Sequence, residues 1–138
     1  MINAVNIVNQ TVAAGANVLF ATDRVRTRSS RCNCGWLEHD AGSGLFTLTK
    51  PGVYRVDVAA NVSLAAAGNV ALAIQANGET VGGTQMITTV ATADDYQTVD
   101  NFAMIEVACG SSKTVSVGNI GNTDALVETA NIAIQRLC

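Results

Sequence analysis

The segment Phe46-Thr47-Leu48-Thr49-Lys50-Pro51-Gly52-Val53-Tyr54-Arg55-Val56-Asp57-Val58 decides the reading of this chain. Phe46 and Leu48 alternate with threonines. After a Lys-Pro-Gly break, Tyr54, Val56 and Val58 alternate with Arg55 and Asp57. Period-two alternation puts apolar side chains on one face of a strand. Pro51 presets φ and Gly52 supplies a permissive backbone, so Lys50–Gly52 reads as a turn between two strands. Tyr54 is expected to pack inward with its hydroxyl at an edge.

The same alternation recurs outward from this segment. Val18–Val25, Asn69–Gln75 (with Val70, Leu72 and Ile74 in phase), Thr98–Val107, Thr114–Ile120 and Thr129–Leu137 read as strands. Ala4, Val5, Ile7 and Val8 among asparagines mark a weaker strand at the start, and the Thr- and Val-rich stretch Thr84–Thr92 adds another. Asn77-Gly78 is the strongest short hairpin signal. Ala59–Ala67 has a helix-like composition but no cap, and reads as the end of a long strand followed by a turn. About eight to ten short strands at near-regular spacing predict an all-β antiparallel sandwich or jelly roll. Residues 1–17 are expected to form an N-terminal arm or first strand, and residues 18–138 the jelly-roll domain.

The composition narrows the function classes. Of 138 residues, 49% are hydrophobic, 14% charged and 4% aromatic, against about 25% charged in an average domain. Disorder is excluded, since it needs low hydrophobicity and high net charge. A net charge of −3 and a pI near 4.9 argue against nucleic acid as a partner. The mean hydropathy of +0.28 leaves membrane insertion or association with copies of the chain. A spanning helix needs about 20 consecutive apolar residues, and the longest runs here are short ones such as Leu64–Ala67 and Phe102–Ile105. No membrane insertion is expected. The N-terminus alternates apolar residues with Asn and lacks a basic start, so no signal peptide is expected either. Self-association remains, after synthesis in the cytoplasm, with the apolar excess on one side of the domain along a seam of Ala, Val, Ile and Thr.

The Phe46–Val58 segment resembles the signature of the complement globular-head and tumour-necrosis-factor jelly-roll superfamily: Phe, five residues, Gly, one residue, Tyr, then alternating large apolar residues. Phe46, Gly52 and Tyr54 match in identity and spacing, while Val56 and Val58 stand where the family usually has aromatics. Phe102–Gly110 followed by Thr114-Val-Ser-Val resembles the family's hairpin around a Gly turn, and Ala130–Leu137 its final strand. The low aromatic content is closer to a bacterial or phage-encoded branch. The resemblance implies a compact homotrimer about a threefold axis, serving structure, adhesion or receptor contact. It points to a non-enzymatic virion or bacterial surface component, partnered with itself, with other virion proteins or with a cell-surface glycan.

Catalytic motifs are scarce. His39 is the one histidine, beside Glu38 and Asp40, and no nucleophile elbow accompanies it. Asp94-Asp95 and Asp100 lack the interleaved spacing of a calcium loop, and no cofactor is expected. Cys32-Asn-Cys34, Cys109 and Cys138 are candidates for disulfides or free thiols. With His39 they offer zinc donors, but at tighter spacing than usual knuckles, and no metal is expected. Arg24, Arg26, Arg28 and Arg31 hold half of the eight basic residues. On a strand the first three would share one face, either solvated or set to bind an anionic ligand. Trp36 and Tyr96 are the candidate platforms for a glycan.

Overall fold

A computed structural model describes residues 1–26 and 35–137. They form twelve strands: β1 (Ile2–Asn6), β2 (Gln10–Val12), β3 (Thr22–Arg26), β4 (Leu37–Glu38), β5 (Phe46–Leu48), β6 (Gly52–Ser63), β7 (Gly68–Ala76), β8 (Glu79–Thr80), β9 (Met86–Val90), β10 (Gln97–Val107), β11 (Lys113–Asn119) and β12 (Ala125–Arg136). Four are two- or three-residue pieces and eight have five residues or more. Ala59–Ala67 divides as its missing cap predicts, into the end of β6 and a turn.

Two antiparallel sheets result. The large one runs β10-β6-β12-β1-β3, with β2 also beside β12; the small one runs β4-β5-β11-β7-β8, with β9 also beside β7. The first strand pairs with the last, Ile2 opposite Ile134 and Asn6 opposite Ala130, and with β3 on its other side. Residues 2–6 are therefore an internal strand of the sheet.

Alternation explains why the sheets stack. Along β6, Tyr54, Val56, Val58, Ala60 and Val62 are buried, whereas Arg55 is exposed and Asp57, Ala59 and Asn61 are half-buried. Buried Ile132 and Ile134 of β12 and Val99, Ala103 and Ile105 of β10 complete the inner face of the large sheet. Phe46, Leu48, Leu72, Ile74, Val115 and Val117 face them from the small one. Each large aliphatic side chain buried this way contributes about 2 kcal/mol. The fully buried aromatics are few: Phe20 meets Phe46 edge-on with ring centroids 5.6 Å apart, and the third, Tyr54, packs against Trp36. A core short of rings needs many valines and isoleucines to reach packing density, which accounts for much of the apolar excess.

The turn that opens β6 is fixed by two features. Gly52 has φ +145°, a backbone that side chains rarely adopt. Tyr54 Oη donates to Lys50 O at 2.7 Å, and Arg136 Nη2 donates to Pro51 O at 2.5 Å. The turn is thus held both by β6 and by the end of β12.

Candidate functional site

The motif residues Phe46, Tyr54, Val56 and Val58 are all in the core. His39 belongs to the framework too. Its ring is fully buried, stacked on Phe46 with centroids 4.0 Å apart. Nδ1 lies 2.5 Å from Asp23 Oδ1 and Nε2 lies 2.9 Å from Ser43 O. Both ring nitrogens are committed, and Ser43 Oγ accepts from Leu45 N. Asp94 sits at φ +59° in a turn, and Asp95 accepts from Gln97. Among the described residues no three His, Cys, Asp or Glu side chains gather as metal ligands.

Arg24 and Arg26 do not share one face. Asn3 pairs with Val25 and Ala4 with Asp23, a bulge that leaves Arg24 outside the ladder. Arg26 turns the other way, donating to Leu37 O at 2.8 Å and meeting Asp23 at 3.5 Å. One extra residue shifts side-chain phase, which breaks the shared face that alternation alone predicts. Arg28 and Arg31 lie outside the described residues, as do Cys32, Cys34 and Cys138. Cys109 is exposed with a free thiol. Trp36 is half-buried, its ring 5.5 Å from that of Tyr54, and Tyr96 is half-buried at the start of β10.

The informative surface is the outward face of the large sheet, whose register stacks side chains in rows. One row runs Phe102, Asp57, Ala133, Asn3 and Val25; the next runs Asp100, Ala59, Asn131, Val5 and Thr22. A third holds Thr98, Asn61 and Thr129. Toward the Pro51 turn come Met104, Arg55 and Gln135, then Glu106 and Val53, with Leu137 N donating to Val53 O.

This face has two characters. Its half toward the turn is apolar for a surface: Phe102 and Met104 are each 50% exposed, Leu137 45% and Val25 39%. Arg55 lies over the Phe102 ring at 4.7 Å and grips Asp57 through Nε and Nη2, and that hydrogen-bonded carboxylate holds the guanidinium pKa above its ordinary value. The other half is lined by Asn, Thr and Ala around Arg24. This face thus carries Phe, Met and Arg beside the Ala, Val, Ile and Thr expected along a seam between copies. Sequence reasoning did not single out Phe102 and Met104, but a signal was present: in Phe102-Ala-Met-Ile-Glu-Val107 the apolar residues fall in both phases of the strand, so both of its faces are apolar.

No helix among the described residues is long and apolar enough to cross a membrane. No protein-family model matches the chain, and no curated protein matches it in sequence. Solved structures do. The globular domain of zebrafish complement 1qA protein superposes with a TM-score of 0.64 at 12% identity, covering 96% of this chain and 94% of that one. Murine APRIL at pH 5.0 gives 0.56 at 13%, over 99% and 98%. PRD1 vertex protein P5 gives 0.52 at 14%, over 99% and 96%. The chain accordingly has the jelly-roll fold of the complement globular-head and tumour-necrosis-factor type, the fold that its Phe46–Val58 segment resembles.

Proposed function

We propose that this protein is a non-enzymatic structural or attachment module acting as a homotrimer, in a phage particle or on a bacterial surface. The observation that carries this reading is the half-exposed cluster of Phe102, Met104, Val25 and Leu137 on one sheet face, with Arg55 and Asp57 at its centre. Exposed apolar patches rimmed by polar groups mark interaction sites, and aromatic and arginine side chains dominate interface energetics. Threefold association is what the superfamily resemblance implies, and the likeness in fold to PRD1 vertex protein P5 supports a virion setting. Light scattering tests it. The chain should run at three times its 14.2 kDa mass, and replacing Phe102 and Met104 together by Asp should return it to monomer with unchanged circular dichroism. A monomeric wild-type chain overturns the reading.

A second reading, recognition of an anionic or glycan ligand, is favoured by the groove around Arg24, a cation with no ion pair among the described residues.

A further inference from the structure

The outward face of the large sheet leaves two opposite charges without an ion pair among the described residues, Arg24 on β3 and Asp100 on β10. Both are exposed. Other charges close by are committed: Asp57 holds Arg55 at 3.0 Å, and Asp23 holds Arg26 at 3.5 Å beside His39. Arg24 lines one hollow of the face and Asp100 the adjoining one.

Their placement decides what they can do. β10 and β3 end the path β10-β6-β12-β1-β3, so four inter-strand steps of about 4.8 Å put their main chains about 19 Å apart. Along the strands they stand at nearly one height. Asp100 begins the row that runs through Ala59, Asn131 and Val5 to Thr22, and Arg24 sits two residues beyond Thr22, in the bulge opposite Asn3 and Ala4. That offset is about 7 Å, a step that a long arginine side chain covers. Glu106 lies six residues along β10 from Asp100, at the Pro51 turn, and Glu128 lies on β12 three residues before Asn131, on the side away from Arg24. Asp100 is thus the uncommitted carboxylate at Arg24's height.

A cyclic assembly is heterologous: each copy offers one patch to the neighbour on one side and a different patch to the neighbour on the other. Copies packed by this face around an axis along the strands set β3 of one against β10 of the next, which brings the two charges together. The energetics call for such a match. Burying either charge alone opposes association, whereas burying them as a hydrogen-bonded pair offsets the lost water. Opposite signs on the two sides also reject a copy that approaches β3 to β3 or β10 to β10.

We infer that Arg24 of one copy pairs with Asp100 of the next, fixing the order in which copies join as β3 to β10. The inference rests on the homotrimer reading and names the contact that sets its geometry. The test is sedimentation equilibrium of the full chain across a dilution series. Arg24→Asp and Asp100→Arg should each raise the dissociation constant at least about tenfold, with circular dichroism unchanged. Combining the two substitutions in one chain should return it to within about threefold of wild type, the coupling expected of residues in contact. Mixing the two single variants should also restore association in part, since a mixed ring carries matched pairs at all but one interface. A monomeric wild-type chain overturns association through this face and the pair with it. Association that neither single variant weakens overturns the pair alone and frees Arg24 for an anionic ligand. Weakening that the double variant fails to reverse overturns the pair, because the two charges then act separately. Rescue in the double variant without rescue on mixing overturns it too, by placing the contact within one copy.

Discussion

His39 and Asp23 join the two sheets: Nδ1 of the ring lies 2.5 Å from Oδ1 of the carboxylate, the first residue following β4 of the small sheet and the second on β3 of the large one. On its other side the ring meets Ser43 O. Both ring nitrogens therefore have an oxygen partner. Arg26 completes the cluster against the same carboxylate. The chain thus closes one open edge of its sandwich with a buried polar tie.

Removing that tie should be costly. His39→Ala takes one hydrogen bond each from the Asp23 carboxylate, which keeps Arg26, and from the Ser43 carbonyl, which keeps Phe20 N, and it opens a gap against Phe46. A lost hydrogen bond costs about 0.5–1.5 kcal/mol, or about 1.5–3 kcal/mol to a charged group, and a lost ring leaves a further cavity term. We expect His39→Ala to lower unfolding free energy by about 3 kcal/mol in urea titration with little change in slope. A loss below about 1 kcal/mol would show the pair to be no stronger than a solvated one.

The contrast between this cluster and the Phe46–Val58 segment shows what local sequence can reveal. Alternation and turn chemistry are local, so the strands around Lys50-Pro51-Gly52 and the Asn77-Gly78 hairpin could be read directly; Asn77 and Gly78 have φ +53° and +81°, as a tight hairpin turn requires. His39 reads as a loop histidine because its partner lies sixteen residues away on another sheet, and no spacing rule links them. The arginine row fails for a related reason: alternation assumes an unbroken ladder, and the bulge at Arg24 adds a residue without a local signal. Trp36 looks like a platform in sequence, but its ring packs on Tyr54, a contact set by sheet stacking.

Two glycines separate hard from soft constraints. A Cβ on Gly44 would stand 2.6 Å from Val18 O, a main-chain atom. A Cβ on Gly118 would meet the end of the Gln75 side chain, which can swing away. Gly44→Ala is therefore expected to cost about 2–3 kcal/mol, the scale of overpacking against a rigid neighbour, and Gly118→Ala less than about 1 kcal/mol. Adding Gln75→Ala should recover the Gly118→Ala loss. Thermal melts of the four proteins check this; equal losses for the two glycine variants would contradict it.

Ser63 carries a hydroxyl that is fully buried and has no hydrogen-bond partner among the described residues. A buried unsatisfied hydroxyl costs about 1–3 kcal/mol, and a methyl of similar size does not. Ser63→Ala should leave stability unchanged or raise it by up to about 1 kcal/mol. A comparable drop in urea titration would mean that the hydroxyl is engaged.

Tyr54 combines a structural bond with a titration. Its hydroxyl donates to Lys50 O, and burial raises its pKa, opposed in part by the Arg136 charge. The neutral phenol is therefore the form that the folded chain favours. An unfolded tyrosine ionises near pH 10, so above that pH the unfolded state releases its proton more readily than the folded one. The contribution is fully present below about pH 10 and declines as pH rises through the higher folded value. Tyr54→Phe should cost about 1 kcal/mol at neutral pH for the lost bond, because the ring still fills its place against Trp36. It should also flatten the alkaline decline, so that the wild-type and variant stability curves converge between about pH 10 and 12. Parallel curves across that range would show that the phenol does not carry the titration and that the turn is held by Arg136 alone.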